Sequence, residues 1–237
     1  MTAPSHRWIA ICSVLAAAGC GVGILASAPW ITDADNDDVV FLGDSIFALS
    51  GDVQADLYAR NGGTFRNYTT SGAELVGGFV APSVTDQFAL SGGTSPIVVM
   101  DGGGNDILIP VVAIGDPHRC NRGTTLTSSC RAFIDDLYVE IVDFLDDLAD
   151  AGVQQVVYLG YYTPKDGLLG AGDLQAAVDY GDDMVAQACA VTRVDCTFVD
   201  PRGTLTDADI VSDGVHPTAS GSAILADLLW AELEPRL

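Results

Sequence analysis

The sequence predicts an α/β fold in which a mainly parallel β-sheet is covered by helices on both faces, and three observations support this fold class. Short apolar runs alternate along the chain with longer segments of helical periodicity. The intervals between these runs are long enough for the crossover connections that parallel strands require. With 49% hydrophobic and 18% charged residues, the 237-residue chain can bury a substantial core.

Five short apolar runs are the predicted strands. They are Val39–Leu42, Phe65–Tyr68, Ile97–Met100, Val153–Leu159 and Thr197–Val199, of which the second is the weakest. Continuous apolar runs of this length are typical of strands that are buried on both faces of a parallel sheet. Ligands bind beyond the carboxyl ends of such strands, so the residues that follow each strand are the first place to look for a site.

Three segments are predicted helices: Ala132–Asp150, Leu174–Ala190 and Ala219–Leu233. The first has the clearest pattern, because its apolar residues recur at helical spacing while aspartates occupy the opposite face. The apolar positions are Ile134, Leu137, Ile141, Phe144, Leu145 and Leu148. Alternation of these helices with the strands indicates helical layers packed on the sheet.

The amino terminus is predicted to be an export segment spanning residues 1–28, since Arg7 precedes a stretch without charged side chains. Three outcomes stay open for this segment. Ala17–Cys20 resembles a lipobox with Cys20 as the lipidated residue, Ala26–Ala28 resembles a signal-peptidase site, and the stretch is long enough for a membrane anchor. Each outcome exports the protein, either secreted or as a bacterial cell-envelope lipoprotein. Residues 29–38 then form an acidic tether, and residues 39–237 a single domain.

The charge of the chain excludes some partners. Acidic residues number 32 against 10 basic ones, which gives a net charge of −22. Nucleic-acid binding is therefore excluded, because a phosphate backbone requires a basic surface, and docking on anionic membranes is disfavoured. A salt-adapted protein and an ordinary acidic secreted protein are equal interpretations of this excess. We expect a monomer.

Four cysteines beyond the export segment form two near pairs, Cys120 with Cys130 and Cys189 with Cys196. In an oxidising compartment, each pair is expected to close a local disulfide. A zinc site is the alternative, but these spacings differ from the close Cys-x-x-Cys type. The sequence therefore predicts two disulfides and no metal.

Polar and glycine-rich segments occupy the positions where a site would form. They are Gly43–Ser45 after the first strand, Asn67 and Ser71–Gly72 after the second, Asp101–Asp106 after the third, and Asp213–Pro217 near the end of the chain. Because the carboxyl ends of parallel strands share one edge, we expect these segments to meet there.

The groups at this edge are those that nucleophilic acyl chemistry requires. Ser45 is a weak nucleophile until a base takes its proton. Among the three histidines, His6 lies in the export segment and His118 in a loop rich in Pro, Arg and Cys, which leaves His216 as the base. Asp213 precedes His216 by three residues and is close enough to hold its ring.

The same edge offers donors for the oxyanion that forms during acyl transfer. The backbone N–H groups of Ser45 and Gly72 and the side-chain amide of Asn105 are the candidates, with Gly77 and Gly78 as alternatives to Gly72. Each segment alone would be an ordinary turn. Their combination behind predicted strands favours a catalytic site.

These segments resemble the four sequence blocks of the SGNH (GDSL-type) hydrolase family of esterases and lipases. Gly43–Ser45 resembles the first block, with Ile46 in place of the usual Leu, and Asn67–Gly72 resembles the second, with Thr69 where many members carry Gly. Gly103–Asp106 matches G-x-N-D, and Asp213–Pro217 matches D-x-x-H-P. The resemblance extends over about residues 38 to 233.

The resemblance implies a flavodoxin-like, three-layer α/β/α sandwich with about five parallel strands. It implies Ser45 as nucleophile, His216 as base and then acid, Asp213 as its partner, and an oxyanion hole from Ser45, Gly72 and Asn105. No cofactor is expected. The implied function is a serine esterase that hydrolyses lipid, small acyl or O-acetyl-sugar esters through an acyl-enzyme. An O-acyltransferase and a non-catalytic exported binding module are the alternatives.

Further residues lie beside these blocks. Asp44, Asp101 and Asp106 are expected to fix loops as hydrogen-bond acceptors. Residues 110–129 and 161–164 follow strands and are candidates for the walls of a substrate cleft. Tyr161 and Tyr162 fit buried packing equally well.

Overall fold

The computed structural model describes residues 28–78 and 81–237. The predicted export segment, with Cys20 and its alternative processing positions, lies outside the described residues apart from Ala28. Within the part that is described, no helix is long and apolar enough to cross a membrane.

The described residues contain one sheet of five parallel strands, which confirms the predicted fold class. The strands are β1 (Asn36–Leu42), β2 (Phe65–Asn67), β3 (Ile97–Met100), β4 (Gln155–Leu159) and β5 (Asp195–Val199), and their order across the sheet is β2-β1-β3-β4-β5. The chain moves outward from β1 to β2 and then returns to the other side of β1 with β3. This reversal creates a crevice beyond the carboxyl ends of β1 and β3, where ligands bind in folds of this type.

Helices cover both faces of the sheet. They are α1 (Ser45–Ala48), α2 (Asp52–Asn61), α3 (Val84–Leu90), α4 (Gly104–Ile114), α5 (Ser128–Asp150), α6 (Gln175–Val191) and α7 (Ala219–Leu233), with 3₁₀ turns at Asp207–Asp209 and Glu234–Arg236. Side chains alternate across each strand. Val40 and Val98 pack with α5 and α6 on one face, whereas Phe41 and Val99 pack with α2 and α7 on the other.

The three predicted helices correspond to α5, α6 and α7, and α5 begins four residues before its predicted start. Thr127 caps α5, because its hydroxyl accepts the backbone N–H of Cys130. β1 begins inside the segment predicted to be a tether, and the backbone of Ile31 pairs with that of Asn67. The free edge of β2 supplies the partner for this pairing.

Both predicted disulfides are present. Cys120–Cys130 joins the loop after α4 to the first turn of α5, with the Cα atoms 5.0 Å apart. Cys189–Cys196 joins the end of α6 to β5, with the Cα atoms 4.8 Å apart. Both bonds therefore brace the helical layer formed by α5 and α6.

Candidate active site

The turn after β1 is held by contacts from distant parts of the chain. Gly43 has φ +146°, and a Cβ atom there would lie 2.1 Å from Oδ1 of Asp101, so this position requires glycine. The Gly43 N–H donates to Oε1 of Gln87 over 2.7 Å, and Nε2 of Gln87 donates to the Gly43 carbonyl over 3.0 Å. The backbone N–H of Asp44 donates to Asp101 over 2.6 Å. The position of Ser45 is thus fixed from the neighbouring strand and from α3.

Ser45, His216 and Asp213 form a continuous hydrogen-bonded chain. Ser45 Oγ lies 2.8 Å from Nε2 of His216, and Nδ1 of His216 lies 2.6 Å from Oδ2 of Asp213. Because a carboxylate accepts only, Nδ1 carries the proton and Nε2 is left to accept the Ser45 hydroxyl. Both Ser45 and His216 are buried. The structure therefore brings Ser45, His216 and Asp213 together, as the sequence predicts.

Asp213 is held by the turn that also carries the histidine. Its Oδ1 accepts the backbone N–H groups of Val215, over 2.8 Å, and of His216, over 3.0 Å. Partial burial alone would raise the pKa of Asp213. The hydrogen bond and charge of His216 and these N–H groups outweigh that effect, so the pKa of Asp213 lies below its ordinary value. Asp213 is thus a carboxylate at neutral pH.

Asn105 and Gly72 lie on adjoining segments. Asn105 is buried in the first turn of α4, and its Nδ2 donates to the carbonyl of Ala73 over 2.9 Å. The Thr70 N–H donates to the Gly43 carbonyl over 3.0 Å, so the turn from Thr70 to Ala73 is tied to both the nucleophile turn and Asn105. Gly72 has φ +80° within this turn.

The alternatives to Gly72 belong to a different part of the loop. A Cβ atom on Gly78 would lie 2.7 Å from the carbonyl of Ala81 and 3.3 Å from the N–H of Ser83, which caps α3. Gly78 therefore packs at the start of α3. The ties from Gly43 and Asn105 to the Thr70–Ala73 turn favour Gly72 as the oxyanion donor.

Three carboxyl groups accept hydrogen bonds next to these residues, as expected from the sequence, and of these Asp44 and Asp101 are buried whereas Asp106 is partly buried. Asp44 caps α1 through Ile46, and Asp106 accepts the N–H of Leu75 over 2.7 Å. Burial and the charge of Asp44 raise the pKa of Asp101 well above its usual value, and burial raises the pKa of Asp106 to about 7. Within the Asp44–Asp101 pair, burial raises the pKa of both carboxyl groups, and it raises that of Asp101 more strongly.

Two tyrosines and a further buried acid, Asp182, complete the surroundings. Tyr161 donates its hydroxyl to Asp44 over 2.8 Å, and its N–H donates to Asp182 over 3.0 Å. Tyr162 donates to the carbonyl of Val215, beside His216. Both tyrosines are packed and also line the pocket at Ser45. His118 instead stacks on Phe133.

Sequence reasoning missed Gln87 and Asp182 as supports of the site. Gln87 lies in the short helix α3, and no motif surrounds it. Tyr161 was expected as a candidate for a cleft wall, but its hydrogen bond to Asp44 was not expected. Residues 110–129, expected as a cleft wall, do not line this pocket, and residues 110–114 belong to α4.

An apolar pocket opens beside Ser45 and Asn105 and extends between α4, α5 and α6. The cavity has a volume of about 80 Å³ and continues into open solvent. Among the residues that the structure describes, no group of three or more His, Cys, Asp or Glu side chains is placed to hold a metal ion. The site thus combines a hydroxyl, an imidazole, a carboxylate and amide groups with an adjoining apolar space, which are the groups that acyl chemistry requires.

Comparison with solved structures shows that this fold is shared. A putative acylhydrolase from Bacteroides fragilis is 17% identical over 98% of this chain and 99% of that chain, with a TM-score of 0.57. An extracellular lipase from Streptomyces rimosus is 22% identical over 83% and 99%, with a TM-score of 0.54. A variant of an acetyl-xylooligosaccharide esterase from Geobacillus is 17% identical over 82% and 93%, with a TM-score of 0.55.

Comparison at the level of sequence gives the family. No curated protein sequence matched the chain. The model of the GDSL-like Lipase/Acylhydrolase family matches residues 39–229, a range that contains all four sequence blocks. The resemblance inferred from those blocks is therefore confirmed: this chain belongs to the GDSL-like lipase/acylhydrolase family and is a carboxylic ester hydrolase.

Proposed function

We propose that the protein is a serine esterase that hydrolyses carboxylic esters through an acyl-enzyme on Ser45. The observation that carries the proposal is the chain of hydrogen bonds from Ser45 Oγ through His216 to Asp213, at 2.8 and 2.6 Å. A serine hydroxyl with an oriented base and a charged orienting group is the arrangement that activates this nucleophile.

In the first half-reaction, Nε2 of His216 takes the Ser45 proton while Oγ attacks the ester carbonyl. The carboxylate of Asp213 stabilises the imidazolium that forms. His216 then gives the proton to the alcohol oxygen, the C–O bond breaks, and the acyl group stays on Ser45. Water attacks this acyl-enzyme in the second half-reaction, with His216 as its base, and the proton returns to Ser45 as the acid leaves.

The tetrahedral intermediate requires donors for its oxyanion. One N–H of the Asn105 amide is used by the Ala73 carbonyl, and its second N–H is available for the oxyanion. We assign the backbone N–H groups of Ser45 and Gly72 to the same role. Binding of the Gly72 turn to Asn105 would keep these donors in register during the reaction.

Replacement of Ser45 by alanine tests the proposal. Ser45→Ala is expected to abolish turnover of p-nitrophenyl esters, whereas Ser129→Ala on the exposed start of α5 should leave turnover unchanged. Mass spectrometry of the wild type, quenched during turnover, should find the acyl group on the peptide that contains Ser45. Retained turnover in Ser45→Ala would refute the assignment.

The same experiment separates the alternatives. A binding module without catalysis would give no turnover in the wild type. An O-acyltransferase would give an acylated acceptor in place of free acid when a sugar or lipid alcohol is added, so product analysis with and without acceptor decides between the two reactions.

We further propose that the protein is exported. Two disulfides support this, because such bonds persist in oxidising compartments. The similarity of the fold to an extracellular lipase is compatible with it. Cell fractionation together with the mass of the mature amino terminus would distinguish cleavage, lipidation at Cys20 and retention as a membrane anchor.

A further inference from the structure

The pocket beside Ser45 is built from the inward faces of three helices. The face of α6 supplies Ala177, Val178, Gly181, Met184 and Val185, which recur at helical spacing. The facing side of α5 supplies Ile134, Leu137 and Ile141, and α4 adds Ile107 and Leu108. These side chains carry no hydrogen-bonding group apart from the weakly accepting thioether of Met184. The wall is therefore suited to an aliphatic ligand.

Asp182 is the acidic residue that α6 contributes to the pocket lining, and its carboxyl group already has hydrogen-bonding and charged partners within the protein. Both of its oxygens accept the backbone N–H of Tyr161, at 3.0 and 3.2 Å, and the guanidinium of Arg202 lies 3.7 Å away. Burial raises the pKa of Asp182 to about 8. At neutral pH this residue therefore adds little negative charge to the pocket.

Gly181 keeps part of the pocket open. Glycine in the interior of a helix is less favourable than alanine, and its backbone here is helical, so no special conformation explains it. Close packing does not explain it either, because a Cβ atom on Gly181 would meet no atom within 4 Å. The missing side chain instead leaves space on the face of α6 that lines the pocket.

The position of the pocket relative to Ser45 and His216 determines whether it binds the acyl group or the alcohol of the ester. Ser45 and Asn105 line it, whereas His216, also within the described part of the chain, lies outside its lining. His216 must reach the alcohol oxygen to protonate it as it leaves. The alcohol therefore lies on the side of His216, and the acyl group lies on the side of the pocket.

We propose that the pocket between α4, α5 and α6 binds the aliphatic acyl chain of the substrate, so that the enzyme prefers longer acyl chains to acetyl. This inference rests on the proposed esterase function. Burial of one methylene group is worth about fourfold in binding. The specificity constant kcat/KM should therefore rise along the series acetyl, butyryl, hexanoyl and octanoyl until the pocket is full.

Addition of a side chain at Gly181 tests the pocket directly. Gly181→Leu is expected to lower the ratio of octanoyl to acetyl kcat/KM by about tenfold or more, because the added side chain would fill the space of several methylene groups of the octanoyl chain. Gly181→Ala should have a smaller effect in the same direction. The control is Ala190→Leu, which adds the same side chain on the exposed surface of α6 and should keep the wild-type ratio.

A second ester series varies the alcohol while the acyl group stays acetyl. A loss in Gly181→Leu confined to long alcohols would place the alcohol in the pocket and overturn the proposal. A wild type that prefers acetyl, or a Gly181→Leu ratio equal to that of the wild type, would overturn it as well.

A binding measurement distinguishes failure of the proposed esterase function from failure of the proposed acyl-chain pocket. Octanoate should raise the melting temperature of Ser45→Ala, and it should have a much smaller effect when Gly181→Leu is added. If the wild type hydrolyses no ester, this shift still decides whether the pocket binds an acyl chain. Absence of the shift in Ser45→Ala would reject the pocket.

Discussion

Two regions that differ in polarity meet at Ser45. The proposed catalytic edge, here called the catalytic edge and formed by Ser45, Gly72, Asn105, Asp213 and His216, is polar and is held by hydrogen bonds of 2.6 to 3.0 Å. The pocket between α4, α5 and α6 is apolar, and part of its space is left open by Gly181. In the first region, the positions of atoms matter, because proton transfer and oxyanion stabilisation depend on donor–acceptor geometry.

In the second region, the volume available to a chain matters, because burial of apolar surface has no direction. From this difference we expect rate and selectivity to be separable. Changes at the catalytic edge should slow the hydrolysis of all esters by similar factors, whereas changes in the pocket should alter the ranking of esters.

Among substitutions that keep Ser45, the largest effect is expected for Asp213→Asn. The asparagine oxygen can still accept the N–H groups of Val215 and His216, so the turn is preserved. Its amide group would face Nδ1 of His216, which favours the tautomer with the proton on Nε2, and that nitrogen can no longer accept the Ser45 proton. We expect kcat to fall by about 10⁴ for every acyl chain length.

Steady-state kinetics with the acetyl and octanoyl esters measures this fall. Asp207→Asn is the control, because Asp207 is an exposed residue of the preceding 3₁₀ turn. A loss below about tenfold would show that His216 works without its carboxylate. A loss restricted to one ester would contradict the separation of rate from selectivity.

Asn105→Ala should give the next largest effect. The substitution removes one oxyanion donor and also the hydrogen bond from Asn105 to Ala73, which holds the Gly72 turn. We expect kcat to fall by about 10² to 10³, with the ratio between octanoyl and acetyl esters unchanged. Stopped-flow measurement of the acylation burst checks this value. An unchanged burst rate would remove Asn105 from the oxyanion hole.

The catalytic edge could be predicted from the sequence because its residues lie in short blocks next to strands. Asp213 and His216 are three residues apart and share one turn. Ser45 and Asn105 follow β1 and β3, which are neighbours with Val39 opposite Ile97 and Leu42 opposite Met100. Local spacing and the geometry of parallel sheets were therefore sufficient to bring these groups together.

Two features could not be predicted in the same way: the long-range contacts that support the catalytic edge, and the pocket. The contact of Gln87 with Gly43 joins residues 44 positions apart, and the contact of Tyr161 with Asp44 joins residues 117 positions apart. The pocket depends on how far α5 and α6 stand apart above the sheet. An amphipathic pattern identifies the buried face of a helix but does not give the space between two such faces.

A pH effect on stability tests the buried acids beside the catalytic edge. Burial raises the pKa of Asp106 to about 7, so the folded state binds a proton that the unfolded chain releases above about pH 4. Between these pH values the folded state binds more protons, and the free energy of unfolding therefore falls as pH rises. Asp106→Asn should reduce this fall by about 3 kcal/mol, since each pKa unit corresponds to about 1.4 kcal/mol.

Urea unfolding at pH 4.5 and pH 8 measures this difference. Asp136→Asn removes a carboxylate from the exposed face of α5 and should leave the slope of stability against pH unchanged. An equal slope in Asp106→Asn and the wild type would mean that Asp106 is ionised in the folded protein throughout this range.

The smallest effect is expected for Gln87→Leu. This substitution tests whether the two regions are independent, because Gln87 contacts the catalytic edge without belonging to it. The substitution removes both hydrogen bonds to Gly43 and leaves the buried Gly43 N–H without its acceptor. We expect a loss of about 1 to 3 kcal/mol in the free energy of unfolding. Because Ser45 follows Gly43 closely, kcat should fall modestly and by the same factor for acetyl and octanoyl esters. A changed ratio would show that the nucleophile turn also shapes the pocket, and the two regions would then not be independent.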